Sequence, residues 1–151
     1  MIRDFDASAP VGTNRVAACI TAQYNSERII DEAAEVADRL NAEFHILHVN
    51  KGTSIFNNAD TPMLLEKLFE YGNEKGGMVH MICSENVADT IGDFIEEYGI
   101  TNIVLGEPPT AVKKAILKES VFGKIAEILK KHGTEIIIVR RPEEDKRVVN
   151  A

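Results

Sequence analysis

Short apolar runs alternate along this chain with longer segments in which apolar residues recur at every third or fourth position. A continuous apolar run is typical of a parallel strand that is buried on both faces. Five such runs predict strands at residues 16–20, 44–49, 78–83, 103–105 and 135–139. The helical spacing between them predicts helices at residues 26–40, 63–71 and 87–98, and one between Ser120 and Gly133.

Residues that favour helix ends flank these segments. Ser26, Asn86 and Ser120 are good N-caps, because a side-chain oxygen can accept a hydrogen bond from a free backbone N–H group. A glycine after a helix permits the left-handed conformation that often ends it. The expected helix-ending glycines are Gly72 or the Gly76–Gly77 pair, Gly99 and Gly133.

Strands that alternate with helices predict βαβ units, right-handed crossovers and a parallel sheet. We expect an α/β fold, a three-layer α/β/α sandwich around a five-stranded parallel sheet in the order 3-2-1-4-5. A length of 151 residues suits one domain with a proper core. We assign that domain to residues 15–140, between a flexible N-terminal arm at 1–14 and a charged C-terminal tail at 141–151.

The composition excludes several classes of function. The formal net charge is −7, so a nucleic-acid-binding surface is not expected. No apolar run approaches the roughly 18 residues of a membrane span, and the polar amino end lacks the apolar core of a secretion signal. Cys19 and Cys83 lie in strand-like runs and are expected to be small buried hydrophobes in a reducing compartment. We therefore expect a cytoplasmic protein.

The carboxyl ends of the predicted strands are where an open α/β sheet binds its ligands. The fourth strand ends at Gly106, and Ser120–Val121 begins the last helix, whose free N–H groups favour an anion. The patterns of several other sites are absent from the sequence. It has no G-x-G-x-x-G or Walker A loop, no acidic receiver site, no glycine in a flavodoxin-type loop at Ala22–Ser26, and no catalytic Ser/His/Asp set.

From about Arg15 to Arg140 the chain resembles the universal stress protein family. The resemblance is carried by Val16–Ile20 followed by Asn25–Arg28, by Ile46–Val49, by Ile103–Gly106 and by Ser120–Val121. It implies an adenine-nucleotide alpha-hydrolase-like fold that is often dimeric. ATP-binding members of that family carry a G-x2-G-x9-G-[S/T] motif between the fourth strand and the last helix.

Two of the three glycines of that ATP motif are replaced in this chain. The motif falls on Gly106, Pro109, Glu119 and Ser120, with its spacing intact. Glycines in such a loop let backbone N–H groups approach phosphates. Pro109 has no backbone N–H, and Glu119 brings a carboxylate to the place of a phosphate. ATP binding of the usual kind is therefore not expected.

Other positions near this loop bear on the same question. Lys113, Lys114 and Lys118 could offset the Glu119 charge, or they could be an ordinary solvated loop and helix edge, which is more common. ATP-binding members usually have an Asp at the end of the first strand, and this chain has Thr21 there.

Three features, Asn25–Ile30, Ile103–Gly106 and the single-glycine loop, also resemble the stress-protein-type domain of the Kdp potassium sensor kinases. That domain is a cytoplasmic sensing module, and some such domains are associated with cyclic di-AMP. The resemblance implies a regulatory module that binds ATP, AMP, cyclic di-AMP or a protein partner, without catalysis. The residues expected to form the nucleotide crevice are Thr21, Ala22, Gln23, Tyr24, Val49, Gly106, Ser120 and Val121.

Two alternative functions and two assembly states stay open. The chain could be an ATP-binding stress protein with weak hydrolysis, or a partner-docking protein whose crevice is empty. Ile136–Val139 is an edge strand in the order 3-2-1-4-5, and an exposed apolar edge invites pairing. The resemblance implies a homodimer across that edge. The alternative is a monomer whose edge is covered by Arg140–Val149.

Three histidines lie within predicted strands. His45 and His80 fall on strands that we expect to be neighbours, and His48 lies near the carboxyl end of its strand. A metal site is conceivable, but such histidines are more often hydrogen-bonded core or crevice residues. No metal ligand is assigned from the sequence.

Overall fold

The sheet and its helices are described here by a computed structural model for residues 14–21, 26–51, 60–107 and 121–140. In chain order the elements are β1 (Arg15–Cys19), α1 (Ser26–Leu40), β2 (Glu43–Lys51), α2 (Asp60–Glu74), β3 (Met78–Ser84), α3 (Val87–Tyr98), β4 (Asn102–Gly106), α4 (Val121–His132) and β5 (Glu135–Val139). The predicted arm and tail lie outside the described residues, apart from Asn14, and their boundaries stay predictions.

The described strands form one parallel sheet in the order β3-β2-β1-β4-β5. The predicted order 3-2-1-4-5 is confirmed. In the central strand, Val16 is aligned with Phe44 of β2 and with Asn102 of β4. The chain moves outward from β1 to β3 and then returns to place β4 on the other side of β1. Strand order therefore reverses between β1 and β4, which is where such a sheet opens a ligand crevice.

Alternate strand residues pack into two hydrophobic cores, one on each face of the sheet. Val16 and Ala18 pack with α1 and α2, whose buried residues include Ile30 and Leu68. Ala17 points the other way, into the core that α3 and α4 complete. Each fully buried Ile or Leu contributes about 1.5–3 kcal/mol relative to an exposed one. The central strands are largely apolar because helices cover both faces, so the three-layer sandwich is confirmed.

The ends of α3 agree with the sequence prediction. The side-chain oxygen of Asn86 accepts a hydrogen bond from the backbone N–H of Asp89 at 3.1 Å. Gly99 has a φ of 63°, in the left-handed region, and its N–H donates to the carbonyl oxygen of Ile95. Both contacts satisfy backbone groups that the helix leaves free at its ends.

The prediction for α2 was too short, since this helix runs from Asp60 to Glu74. It continues through Gly72, where the lack of a Cβ leaves room for the buried side chain of Ile46. Gly76, with a φ of 93°, then turns the chain toward β3. Within the described ranges, no helix combines the length and the hydropathy that crossing a bilayer requires.

The prediction that both cysteines are buried is wrong for Cys83. This residue is exposed because β3 is the last strand on its side of the described sheet. Met78 and Met81 of the same strand are 56% and 42% exposed. Cys19 in the central strand is half-buried, and desolvation of its thiol raises its pKa to about 12. A thiolate at Cys19 is therefore not available near neutral pH.

Candidate functional site

The described members of the predicted crevice lie at one edge of the sheet, where the parallel strands end. Thr21 follows β1 closely and is exposed. Val49 near the end of β2 and Gly106 at the end of β4 are half-buried. Because β1 lies between β2 and β4, the structure places these three residues on neighbouring strand ends around the point where strand order reverses.

The remaining predicted site residues are only partly described. Val121 is the first described residue of α4, and its predicted cap, Ser120, lies outside the described residues. The other members and the degenerate glycine motif lie outside the described residues: Ala22, Gln23, Tyr24, Pro109, Glu119 and Ser120. The same holds for the three lysines of that loop. This half of the crevice stays a prediction from the sequence.

The buried hydroxyl of Ser26 holds the connection from β1 to α1. Its oxygen accepts a hydrogen bond from the backbone N–H of Thr21 at 3.2 Å and donates to the carbonyl oxygen of Thr21 at 2.7 Å. The prediction that Ser26 is an N-cap is wrong, because Ser26 is already the first residue of α1. Its hydroxyl is instead bonded back to the strand end. Both polar backbone groups of Thr21 are thereby fixed at the mouth of the crevice.

His48 is a buried residue of this edge that was not among the predicted site residues. Its Nδ1 atom lies 2.9 Å from the carbonyl oxygen of Ile20, which can only accept, so Nδ1 carries the proton. The Asn50 side chain lies 3.3 Å from the Nε2 atom of His48. His48 therefore ties the end of β1 to the end of β2. Its place near the carboxyl end of a predicted strand was the sequence signal for this role.

Gly106, at the end of β4, lies against the first turns of α1. A Cβ atom built at this position would lie 3.0 Å from the Cδ1 atom of Ile29. That separation is tight for two carbon atoms. The next backbone N–H, of Glu107, donates to the carbonyl oxygen of Val139 at 2.9 Å. The end of β4 is thus held on both sides, with a glycine where a ligand would approach the backbone.

The described polar side chains at this edge can bind a ligand through hydrogen bonds. They offer a hydroxyl, an imidazole and an amide, from Thr21, His48 and Asn50. These groups donate and accept hydrogen bonds but do not form a nucleophile with an adjacent base. In the described part of the chain, no three or more His, Cys, Asp or Glu side chains are arranged to hold a metal ion.

Solved structures with this architecture are similar to the chain. A universal stress protein in complex with cAMP matches with a TM-score of 0.64 and 18% identity, over 86% of this chain and 98% of that one. A universal stress protein from Archaeoglobus fulgidus has a TM-score of 0.61 and 21% identity, over 83% and 92%. One from Archaeoglobus fulgidus in complex with dAMP has a TM-score of 0.57 and 18% identity, over 83% and 96%.

Sequence comparisons give no comparable match. No protein-family model matches the chain, and no curated protein matches it significantly. At these low identities a structural likeness defines the fold and not the activity. The likeness extends over most of both chains in each case. The chain therefore has the α/β fold of the universal stress proteins.

Proposed function

We propose that this protein is a universal-stress-type regulatory module that binds an adenine nucleotide and acts by binding, not by catalysis. The observation that carries the proposal is the reversal of strand order between β1 and β4. Thr21, Val49 and Gly106 line neighbouring strand ends there. A sheet of this topology binds ligands at that point, and the backbone groups of Thr21 are already held in place by Ser26.

Support for an adenine nucleotide comes from two solved structures of the same fold, which hold cAMP and dAMP. The sequence of the loop after β4 favours a ligand with few phosphates. Pro109 cannot donate a backbone hydrogen bond, and Glu119 would repel a polyphosphate chain. We therefore expect AMP-like ligands, including cyclic di-AMP, to bind more tightly than ATP. A cytoplasmic sensing role like that of the Kdp-type domains is the corresponding regulatory proposal.

A thermal-shift panel with AMP, cAMP, cyclic di-AMP and ATP, with and without magnesium, tests the proposal. A ligand that binds only the folded protein raises the melting temperature in a concentration-dependent manner. A shift with AMP-like ligands supports the proposed function. A larger shift with ATP and magnesium favours the alternative of an ATP-binding protein with weak hydrolysis. No shift from any of them in well-folded protein favours a partner-docking protein.

Gly106→Ala is expected to weaken the binding of the panel's best ligand by about tenfold or more, which corresponds to about 1.4 kcal/mol. The added methyl group meets Ile29 at 3.0 Å and forces that side chain or the end of β4 into the crevice. Titration calorimetry measures the change in dissociation constant.

Gly92→Ala is the matched control for this variant. Its methyl group would meet the Cγ2 atom of Ile128 at 2.9 Å, where α3 packs on α4 and not at the strand ends. We expect Gly92→Ala to leave the dissociation constant unchanged. Equal losses in both variants would show that the effect is general destabilisation and would place the ligand elsewhere.

The outer edge of β5 is the proposed dimerisation surface. Among the described strands, β5 pairs only with β4, and Ile138 is 39% exposed. An exposed apolar edge of this kind favours antiparallel pairing with the same strand of a second copy. Sedimentation equilibrium is expected to show a dimer at micromolar concentration that Ile138→Lys dissociates. A wild-type protein that sediments as a monomer over this range would contradict the homodimer.

A further inference from the structure

A chain of polar side chains crosses the amino-terminal end of the sheet, opposite the crevice. The Nε atom of Arg15 lies 3.3 Å from Oε1 of Glu43. The same carboxylate oxygen lies 3.1 Å from Nε2 of His45, and Nδ1 of His45 lies 3.0 Å from Nε2 of His80. His45 is only 2% exposed, and His80 is half-buried. Nothing in the proposed nucleotide site uses these groups.

The hydrogen-bond partners fix where the protons lie when both rings are neutral. A carboxylate can only accept, so Nε2 of His45 carries a proton and donates to Glu43. Nδ1 of His45 is then an acceptor, and Nε2 of His80 must donate to it. This arrangement leaves Nδ1 of His80 as the ring nitrogen that can take up a proton without breaking either bond.

A second proton cannot be added in the same way. With both rings charged, Nδ1 of His45 and Nε2 of His80 would each carry a hydrogen and would face each other at 3.0 Å. Two donors cannot bond, and the two positive charges would repel each other in a poorly solvated place. The pair therefore accepts one proton with its geometry intact, and the second proton must separate the rings.

The rings connect the edge strand β3 to the rest of the fold. His45 belongs to β2, the one described strand that pairs with β3. The ring of Phe94 meets His80 edge-on with a centroid separation of 4.8 Å, and the ring of Tyr98 lies 4.8 Å from His80 and 5.4 Å from His45. Separation of the two imidazoles would thus loosen both β3 and the last turns of α3.

We propose that the Glu43–His45–His80 chain is a proton-responsive latch that holds β3 and the end of α3 on the sheet and releases them when both histidines are charged. The charged groups nearest to the latch are Glu43 of β2, Arg15 of β1 and Glu97 of α3. Two more, Asp38 and Lys75, line a neighbouring cavity of about 360 Å³ together with Glu43 and His45.

The surroundings of His80 disfavour its protonated form. Desolvation, and then the charge of His45, lower the pKa of His80, while Glu97 opposes the change. The folded protein therefore binds fewer protons than the unfolded chain, in which a histidine has a pKa near 6.5. The stability that neutral His80 contributes is present above about pH 6.5 and is lost as the pH falls through its lowered pKa.

A double-mutant cycle between His45→Gln and His80→Gln, repeated from about pH 8 to pH 5, tests the latch in the full-length protein. The coupling between the two residues is expected to be favourable at the upper end and to vanish or change sign at the lower end. In the wild type, hydrogen-exchange protection of β3 amides should fall over the same pH range. His132→Gln, which alters the exposed histidine at the end of α4, should change neither quantity.

Nitrogen NMR of the wild-type imidazoles keeps the proposal testable if either variant fails to fold. The latch requires that both rings carry their proton on Nε2 at about pH 8 and that the pair then takes up a single proton while the rings stay in contact. Uptake of two protons by the pair while the rings stay in contact, or a coupling that does not change with pH, would overturn it.

Discussion

Ser26→Ala is expected to lower the free energy of unfolding by about 1–3 kcal/mol. The variant removes one oxygen atom, but that atom satisfies both the backbone N–H and the carbonyl oxygen of Thr21. Ser26 is completely buried, so water cannot replace the lost hydroxyl without a rearrangement of the loop. The cost of leaving buried polar groups without partners exceeds the net value of the bonds themselves. Urea unfolding followed by circular dichroism measures the change.

Ser84→Ala is a matched control, because the hydroxyl of Ser84 makes the same pair of contacts near the surface. It accepts a hydrogen bond from the backbone N–H of Asn86 at 3.0 Å and donates to the carbonyl oxygen of Asn86 at 3.3 Å. Water can replace both contacts at this partly exposed site, so we expect a loss within about 0.5 kcal/mol. Equal losses for the two variants would show that burial of the hydroxyl is not what makes Ser26 important.

Ser26→Ala also tests whether the stability of this connection affects the proposed ligand site. If the nucleotide binds against Thr21, loosening the backbone of Thr21 should also weaken ligand binding. A preformed site loses less free energy in ordering its loop when the ligand binds. Ser26→Thr keeps the hydroxyl and should retain more of the affinity than Ser26→Ala. A loss of stability without any change in affinity would show that the Ser26–Thr21 hydrogen bonds support the fold but not the ligand site.

The fold could be predicted from the sequence because its signals are local and repeated. Each strand is an uninterrupted apolar run, as at Val16–Ile20, and the alternation with helices allows few topologies. The ends of α3 could be predicted equally well, because Asn86 and Gly99 end the helix through hydrogen bonds to backbone groups only a few residues away. The resemblance to universal stress proteins added the expectation of an adenine-nucleotide type of fold.

Contacts between distant residues could not be predicted in the same detail. His45 and His80 were expected on neighbouring strands, but their contact depends on the register, which aligns Leu47 with His80. A shift of one residue would have turned the His80 ring to the other face. Ser26 was misassigned for a related reason. A serine before an amphipathic segment predicts a cap, whereas its actual partner, Thr21, lies in the preceding strand connection.

Gly77→Ala is the second substitution for which we expect a large loss of stability. A Cβ atom at this buried position would lie 2.5 Å from the Cδ1 atom of Ile46 and 3.1 Å from the carbonyl oxygen of Gly72. Overpacking of this kind typically costs about 1–3 kcal/mol. The stiffer unfolded chain returns only about 0.4–1 kcal/mol. The net result should be a lower midpoint of urea unfolding, because Ile46 is fully buried and has little room to move.

Ile46→Val distinguishes steric conflict from a backbone effect, because it removes the Cδ1 atom that the new methyl group would strike. Alone it should cost about 0.5–1.5 kcal/mol. Combined with Gly77→Ala, it should cost less than the sum of the two single changes by about 0.5 kcal/mol or more. Ile103→Val, at an equally buried isoleucine on the opposite face of the sheet, should be additive with Gly77→Ala. Additivity in both pairs would mean that the glycine is needed for its backbone conformation rather than for the space beside Ile46.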